Sequence, residues 1–293
     1  MVASDAAVDS GRTGEEAAVA EFDASQPDGG KPPCENGVVD GDETAVDCGG
    51  TCGDCADGLG CMMDADCVSG WCDDGLCKES SFCPRHPDAS LCDGFEDPGL
   101  SGWFFDAANS AIVSSVTTPV YKGRRSIRGQ STEPGGRSYL SAVFDPVVDS
   151  RIYARVFVFV ESTAVLGHIN ILDFYPKFGM ASEGSIGFGF LDEKAFGWGG
   201  NGSQLISSSA VVPRDTWFCL RVAFDAKAGA KVEIFVDDQM VAMAEGVDIA
   251  SEGGISKVHL PVVYTWNGVG PQVPVGIAVD ELLIDTTPIS CAP

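Results

Sequence analysis

The chain has 293 residues, with 43 acidic and 18 basic side chains and a formal net charge of -25. That balance leaves no phosphate-neutralising surface, which argues against nucleic acid and anionic membranes as partners and favours solubility and cation binding. No apolar run is long enough for a transmembrane helix. Residues 1–33 carry seven acids, two bases and one aromatic, Phe22. Low hydrophobicity with net charge predicts a disordered acidic linker, stiffened at Pro32-Pro33 before the first cysteine. The opening MVASDAAVDSGRTG has neither a basic region nor an apolar core, so no signal peptide is legible in it.

Residues 34–92 hold ten of the twelve cysteines: Cys34, Cys48, Cys52, Cys55, Cys61, Cys67, Cys72, Cys77, Cys83 and Cys92. The stretch is rich in Gly and Asp and poor in aliphatic side chains. It cannot bury enough apolar surface to offset its own chain entropy, so disulfides are expected to hold it. Disulfides persist outside the cytosol, which places the protein in an exported, extracellular or cell-surface setting. Cys52-Gly53-Asp54-Cys55 raises zinc as a rival, but no second such pair or spaced histidine pair completes a site. The first eight cysteines form an even set whose connectivity stays open. Parity then leaves Cys83–Cys92 and Cys219–Cys291 as the simplest remaining pairs. Asp40, Asp42, Glu43 and Asp47 are spaced like an oxygen-rich calcium loop but lack its glycine and terminal glutamate, which reads as a solvated acidic turn.

The elements C-x-N-G, D-G-x-E-T-x-x-D-C-G-G and D-C-x-S-G-x-C in this run resemble the cysteine-rich modules of secreted and lipoprotein-like proteins of myxobacteria and related Gram-negatives. The resemblance implies a spacer or interaction element beside a larger extracellular domain.

From Asp93 the texture changes to β-branched and aromatic runs separated by Gly, Pro, Asn and Asp turns. In Arg151 to Glu161, Ile152, Ala154, Val156, Val158 and Val160 share one face, and Tyr153, Arg155, Phe157 and Phe159 the other. Trp217 to Asp225 repeats the alternation. Val232 to Val236 turns at Asp237-Asp238-Gln239 into Met240 to Ala244, and Val275 to Ile284 closes the chain. Roughly a dozen strands predict an all-β, antiparallel β-sandwich over residues 93–293.

Four landmarks carry a second resemblance: LCDGFED at 91–97, VYKGRRSIRG at 120–129, TWFCLRVAFDAKAGAKVEIFVDDQMVA at 216–242 and GIAVDELLID at 276–285. They resemble the concanavalin A-like lectin/glucanase jelly roll in its laminin-G-like and polysaccharide-lyase-like variants. That fold implies a concave sheet carrying a glycan groove, which Arg155, His168, Asn170, Asp173, Tyr175, Trp198, Tyr264 and Trp266 would line. Aromatic faces stack on sugar rings while polar groups bond hydroxyls. Trp198 and Trp266 stand among glycines and an amide that leave a ring face open. The resemblance also implies a structural Ca²⁺ held by Glu96, Asp97 and Asp280.

Retaining glucanases need paired carboxylates about 5–5.5 Å apart, and no E-x-D-x-x-E run occurs; Asp280 to Asp285 comes nearest. Arg124 to Arg128 reads RRSIR, short of the lyase motif by its glutamate. Arg155, His168, Tyr175 and Tyr264 are the set left for β-elimination. Residues 93–293 carry 23 acids and 14 bases, which favours neutral glycans unless Arg155 and Arg221 line the groove. The sequence reads first as a lectin-like, carbohydrate-binding protein. A polysaccharide lyase or glycoside hydrolase is the alternative, and a structural or adhesion module without catalysis the third.

Overall fold

The computed structural model describes residues 32–69, 71–78, 82–108, 111–133, 136–176, 185–199, 205–249, 253–264 and 274–292. Almost all of the acidic linker, residues 1–31, lies outside them. In the cysteine module the strands β1 (Cys72–Asp73) and β2 (Leu76–Cys77) form a minimal hairpin. Its interior is sulfur: Cys48, Cys55, Cys61, Cys67 and Cys77 make up its buried cluster. The bridges are Cys34–Cys52, Cys48–Cys55, Cys61–Cys72 and Cys67–Cys77. No described cysteine is free, so the Cys52/Cys55 pair is unavailable as zinc thiolates. Carboxylates do the rest. Asp66 accepts N–H bonds from Met62, Met63 and Gly50 (2.8, 3.0 and 3.2 Å), which close its own turn, tie it to the Gly50 loop and hold its carboxyl below the usual range. Asp47 accepts from the amides of Asn36 and Gly37, so this acidic turn binds its own backbone.

The remainder is a two-layer antiparallel sandwich. Its strands are β3 (Leu91–Asp93), β4 (Phe104–Ala108), β5 (Ile112–Val116), β6 (Ser126–Ser131), β7 (Arg137–Val147), β8 (Arg151–Val160), β9 (His168–Pro176), β10 (Ile186–Leu191), β11 (Lys194–Gly199), β12 (Leu205–Val211), β13 (Trp217–Asp225), β14 (Ala230–Val236), β15 (Gln239–Val247), β16 (Ile255–Tyr264) and β17 (Val275–Asp285). One sheet runs β12-β11-β10-β9-β16-β7-β4. The other runs β15-β14-β13-β8-β17-β6-β5, with β3 added beside β17. The core lies between them. Ile152, Ala154, Val156, Val158 and Val160 of β8 face Phe174 and Phe188 of the opposite sheet, as period-two alternation requires. The compositional break at residue 92 falls inside β3, where Cys92 pairs with Leu283.

The centre of the outer face of the eight-stranded sheet is covered. Tyr121 stacks on Phe157 at 3.6 Å, and Trp217 packs against Tyr121 and Phe159. Phe82, at the end of the module, lies under the Arg155 guanidinium (5.2 Å). Arg124 donates to the Cys67 carbonyl (3.1 Å) and pairs with Asp54, which docks the module against the loop before β6. The Cys83–Cys92 bridge fixes the entry to β3, and Cys219–Cys291 (Cα–Cα 5.8 Å) pins the C-terminal segment on β13.

The Cys219–Cys291 loop spans 72 residues, and loop-closure entropy for that length is worth about 4 kcal/mol. Replacing both cysteines by alanine is expected to lower the urea midpoint of the sandwich accordingly, with an m-value equal to or larger than that of the bridged protein because the unfolded chain is released. An unchanged midpoint would show that the bond contributes nothing.

Candidate functional site

A group of polar and aromatic side chains gathers on the outer face of the seven-stranded sheet. The strand β9 supplies three of them. Simple alternation would put Asn170 and Asp173 on opposite faces, because they are three residues apart. A bulge resolves this. Leu172 pairs with Phe188 and Asn170 with Gly189, so Ile171 is the extra residue and both polar side chains emerge together. Gly189 is required there, since an added Cβ would collide with the backbone of Ile169 and Asn170. Asn170 Nδ2 and the Tyr175 hydroxyl both donate to Asp173 Oδ2, at 3.2 and 3.3 Å.

The neighbouring strand β16 places His259 beside Asp173. The imidazole lies between two tyrosines: Tyr139 of β7 stacks on it at 4.2 Å and 6°, and Tyr175 approaches at 4.3 Å and 39°. Lys257 Nζ sits 5.1 Å from the Tyr175 ring centre. At the far side Asp106 of β4 pairs with Arg137 (2.9 Å) and bonds the Tyr139 hydroxyl. Tyr139, His259 and Lys257 were not singled out in the sequence. Their signal was present as polar or aromatic residues at every second position of RSYLSAV and ISKVHL.

The electrostatics are those of a site drawn out of water. Burial pushes the Asp173 carboxyl up to about 7, against the lowering effect of its two donors. Burial pushes the Tyr175 phenol upward, with the neighbouring Asp173 adding to it. Burial, with Lys257 beside it, lowers His259 to about 4, so the imidazole is neutral at ordinary pH. Among the described residues, Asp173 Oδ1 and Asn170 Oδ1, like Arg155 Nε on the other sheet, are buried with no hydrogen-bond partner. Two unmet acceptors beside a shelf of three stacked rings suit a ligand that brings hydroxyl donors and a flat apolar face.

Of the eight groove residues read from the sequence, Asn170, Asp173 and Tyr175 come together here. The backbones of His168, Trp198 and Tyr264 belong to the same sheet, but their side chains lie outside the described residues, as does all of Trp266. Arg155 does not join them. It points from β8 to the outside of the opposite sheet, between Phe82 and Phe157, and donates to the carbonyls of Ser290 and Ala292 at 2.9 and 3.0 Å. Alternation shows that it leaves the core but not which sheet carries it. The elimination set of Arg155, His168, Tyr175 and Tyr264 therefore lacks its arginine. Arg221 also lies on that other sheet, paired with Asp238 (3.0 Å).

The calcium set is likewise dispersed. Asp280 accepts N–H bonds from Tyr121, Lys122 and Glu281 (3.0, 3.3 and 2.8 Å), and Glu96 from Arg124 (2.9 Å). Asp97 caps its own turn at Gly99 and Ser101. Among the described residues these three acids do not bring their oxygens within 4.8 Å of one another, so they do not fit a shared ion. Asp280 and Glu96 instead hold the 121–124 loop.

No protein-family model and no curated protein matches the sequence. Among solved structures the chain is similar to the cellulose-induced protein Cip1, at 15% identity and a TM-score of 0.52, over 69% of this chain and 100% of that one. It is also similar to an endo-β-1,4-glucuronan lyase from the fungus Trichoderma reesei, at 17% identity and a TM-score of 0.48, over 68% of this chain and 96% of that one. An alginate lyase, vAL-1 from Chlorella virus, aligns at 10% identity and a TM-score of 0.43, over 64% and 94%. The likeness is one of fold: an all-β jelly roll of two antiparallel sheets.

The two buried groups predict opposite pH effects. Asp173 titrates near 7 in the fold against 3.8 ordinarily, so its contribution to stability is full below 3.8 and is lost as pH rises through 7. His259 titrates near 4 against 6.5, so its contribution is full above 6.5 and is lost as pH falls through 4. Each amounts to roughly 3–4 kcal/mol across its range. Relative to wild type, Asp173→Asn should lose stability on acidification from about pH 7 to about pH 4, and His259→Gln should gain it. Denaturant melts of both variants across that range check this; slopes of the same sign would refute the assignment.

Proposed function

We propose that this is an exported glycan-binding protein that holds a polysaccharide on the outer face of its seven-stranded sheet. The observation that carries the reading is the Tyr139–His259–Tyr175 stack beside the unmet acceptors of Asn170 and Asp173. Six disulfides support the extracellular setting. Among the described residues no helix is long and apolar enough to cross a membrane. Arg155 and Arg221 lie on the other sheet and Arg137 is paired to Asp106, which among the described residues leaves Lys257 as the cation beside the stacked rings; one cation on an acidic domain favours neutral glycans over strong polyanions.

One observation favours a catalytic second reading. Asp173, raised toward 7 and bonded to the Tyr175 hydroxyl, is a carboxyl poised for proton transfer near neutral pH. A lyase would leave unsaturated ends and a hydrolase new reducing ends.

The test is affinity electrophoresis and calorimetry against cellulose-derived glucan, glucuronan and alginate, with end-group assays run in parallel. Retention on the glucan without new ends is the expected result. Tyr175→Ala should weaken binding about tenfold or more, which corresponds to about 1.4 kcal/mol, while the melting transition survives. New unsaturated or reducing ends would establish the catalytic reading. Retention of no polysaccharide, or equal retention by Tyr175→Ala, would overturn the proposed site.

A further inference from the structure

The pairing register draws a line across the seven-stranded sheet. Phe104 of β4 pairs with Ser141 of β7, Ser141 with His259 of β16, and His259 with Asp173 of β9. Asp173 pairs with Gly187 of β10, and Gly187 with Trp198 of β11. These six positions form one row perpendicular to the strands. At about 4.8 Å between strands the row is roughly 24 Å long. Its centre is the site already described, and the residues next to that centre are small, serine on one side and glycine on the other.

Phe104 stands at the end of the row on an edge strand. Ser141, Tyr139 and Arg137 take the outer positions of β7, and Leu140 and Ala142 the core positions. Phe104 and Asp106, which pair with Ser141 and Tyr139, therefore face outward, whereas Phe105 pairs with the core residue Leu140. Phe104 is 69% exposed. By contrast Phe174, Phe188, Phe190, Phe218 and Phe224 are fully buried in the sandwich. The Asp106–Arg137 pair, tied to the Tyr139 hydroxyl, anchors the outer face of β4 beside it. Of the shelf rings His259 lies on this row, with Tyr175 and Tyr139 about two residues to either side of it; an exposed ring on an anchored strand, two strands from that imidazole with Ser141 between, is placed as a second stacking platform.

We infer that Phe104 is a distal subsite of the same groove, and that the glycan lies across the strands along this row. The inference rests on the glycan reading of the Tyr139–His259–Tyr175 shelf and deepens it to a substrate class. From Asp173 to Phe104 is three strand spacings, about 14 Å, so a disaccharide seated at Asp173 and Tyr175 does not reach the ring and a longer oligosaccharide does. The ligand class is an extended oligomer or polymer, recognised along its length rather than at a terminal sugar.

The experiment is calorimetry with a size-graded series of cello-oligosaccharides, from disaccharide to hexasaccharide, titrated into the full chain. In wild type, affinity should climb with length and level off once the ring is reached. Phe104→Ala should leave disaccharide binding unchanged and lower affinity for the longest oligomer about fivefold or more. Phe105→Ala, which removes an equally large exposed ring that faces the core side (60% exposed), should match wild type at every length. Phe104→Trp should keep the length dependence. Equal affinities for wild type and Phe104→Ala at all lengths, with Tyr175→Ala still impaired, would overturn the distal subsite and leave the shelf standing. A uniform loss at all lengths in Phe104→Ala would also overturn it, as a structural effect. Absence of binding to every member of the series by wild type would overturn the subsite along with the cello-oligosaccharide form of the reading beneath it.

Discussion

A guanidinium withdrawn from water must be surrounded by partners, and the architecture turns on how Arg155 meets that demand. The side chain is 2% exposed. It has rings on two sides, Phe82 and Phe157, and two carbonyls from the C-terminal segment. Glu281 is the nearest acid, at 3.9 Å. The positively charged group therefore draws the end of the cysteine module and the end of the chain onto the same outer face. Disulfides at Cys83–Cys92 and Cys219–Cys291 make that arrangement covalent. Phe82 and Tyr121 then have apolar neighbours instead of solvent, and the centre of the eight-stranded sheet is occupied by the protein's own segments.

The opposite sheet carries its own buried polar groups. Among the described residues its outer face has acceptors without partners at Asn170 and Asp173, beside the stacked rings of Tyr139, His259 and Tyr175. The two faces are separated by the thickness of the sandwich, about 10 Å between sheets. The module docks on one and the candidate site lies on the other, so the candidate face is directed away from the cysteine module. The module is thus a fixed cap on the sandwich, held by Arg124 to Cys67 and Asp54, and not only a spacer ahead of it.

Much of this was legible in the residues. Strands β8, β13 and β17 follow from unbroken period-two runs, because a sheet buried on both sides needs apolar residues at both sets of positions. The cysteine module follows from a run that has no other way to hold itself. The site was only partly legible, for physical reasons. Which sheet a strand joins is a long-range matter, so Arg155 and Tyr175 look alike in sequence but end on opposite sheets. The bulge at Ile171 breaks the alternation that would otherwise separate Asn170 from Asp173. Tyr139 and His259 meet across a pairing between β7 and β16, two segments more than a hundred residues apart in the chain. The acids Glu96 and Asp280 resemble a metal set in sequence because hard oxygens suit cations, yet the same oxygens serve backbone amides equally well.

The central claim is that one sheet receives the ligand, while the centre of the other is occupied by the cysteine module and the end of the chain. Amide hydrogen exchange, read peptide by peptide with and without a saturating cello-oligosaccharide, tests it most directly. The account predicts new protection in β7, β9 and β16, and none in β8, β13 or the cysteine module. Protection confined to the module or to the eight-stranded sheet would contradict it.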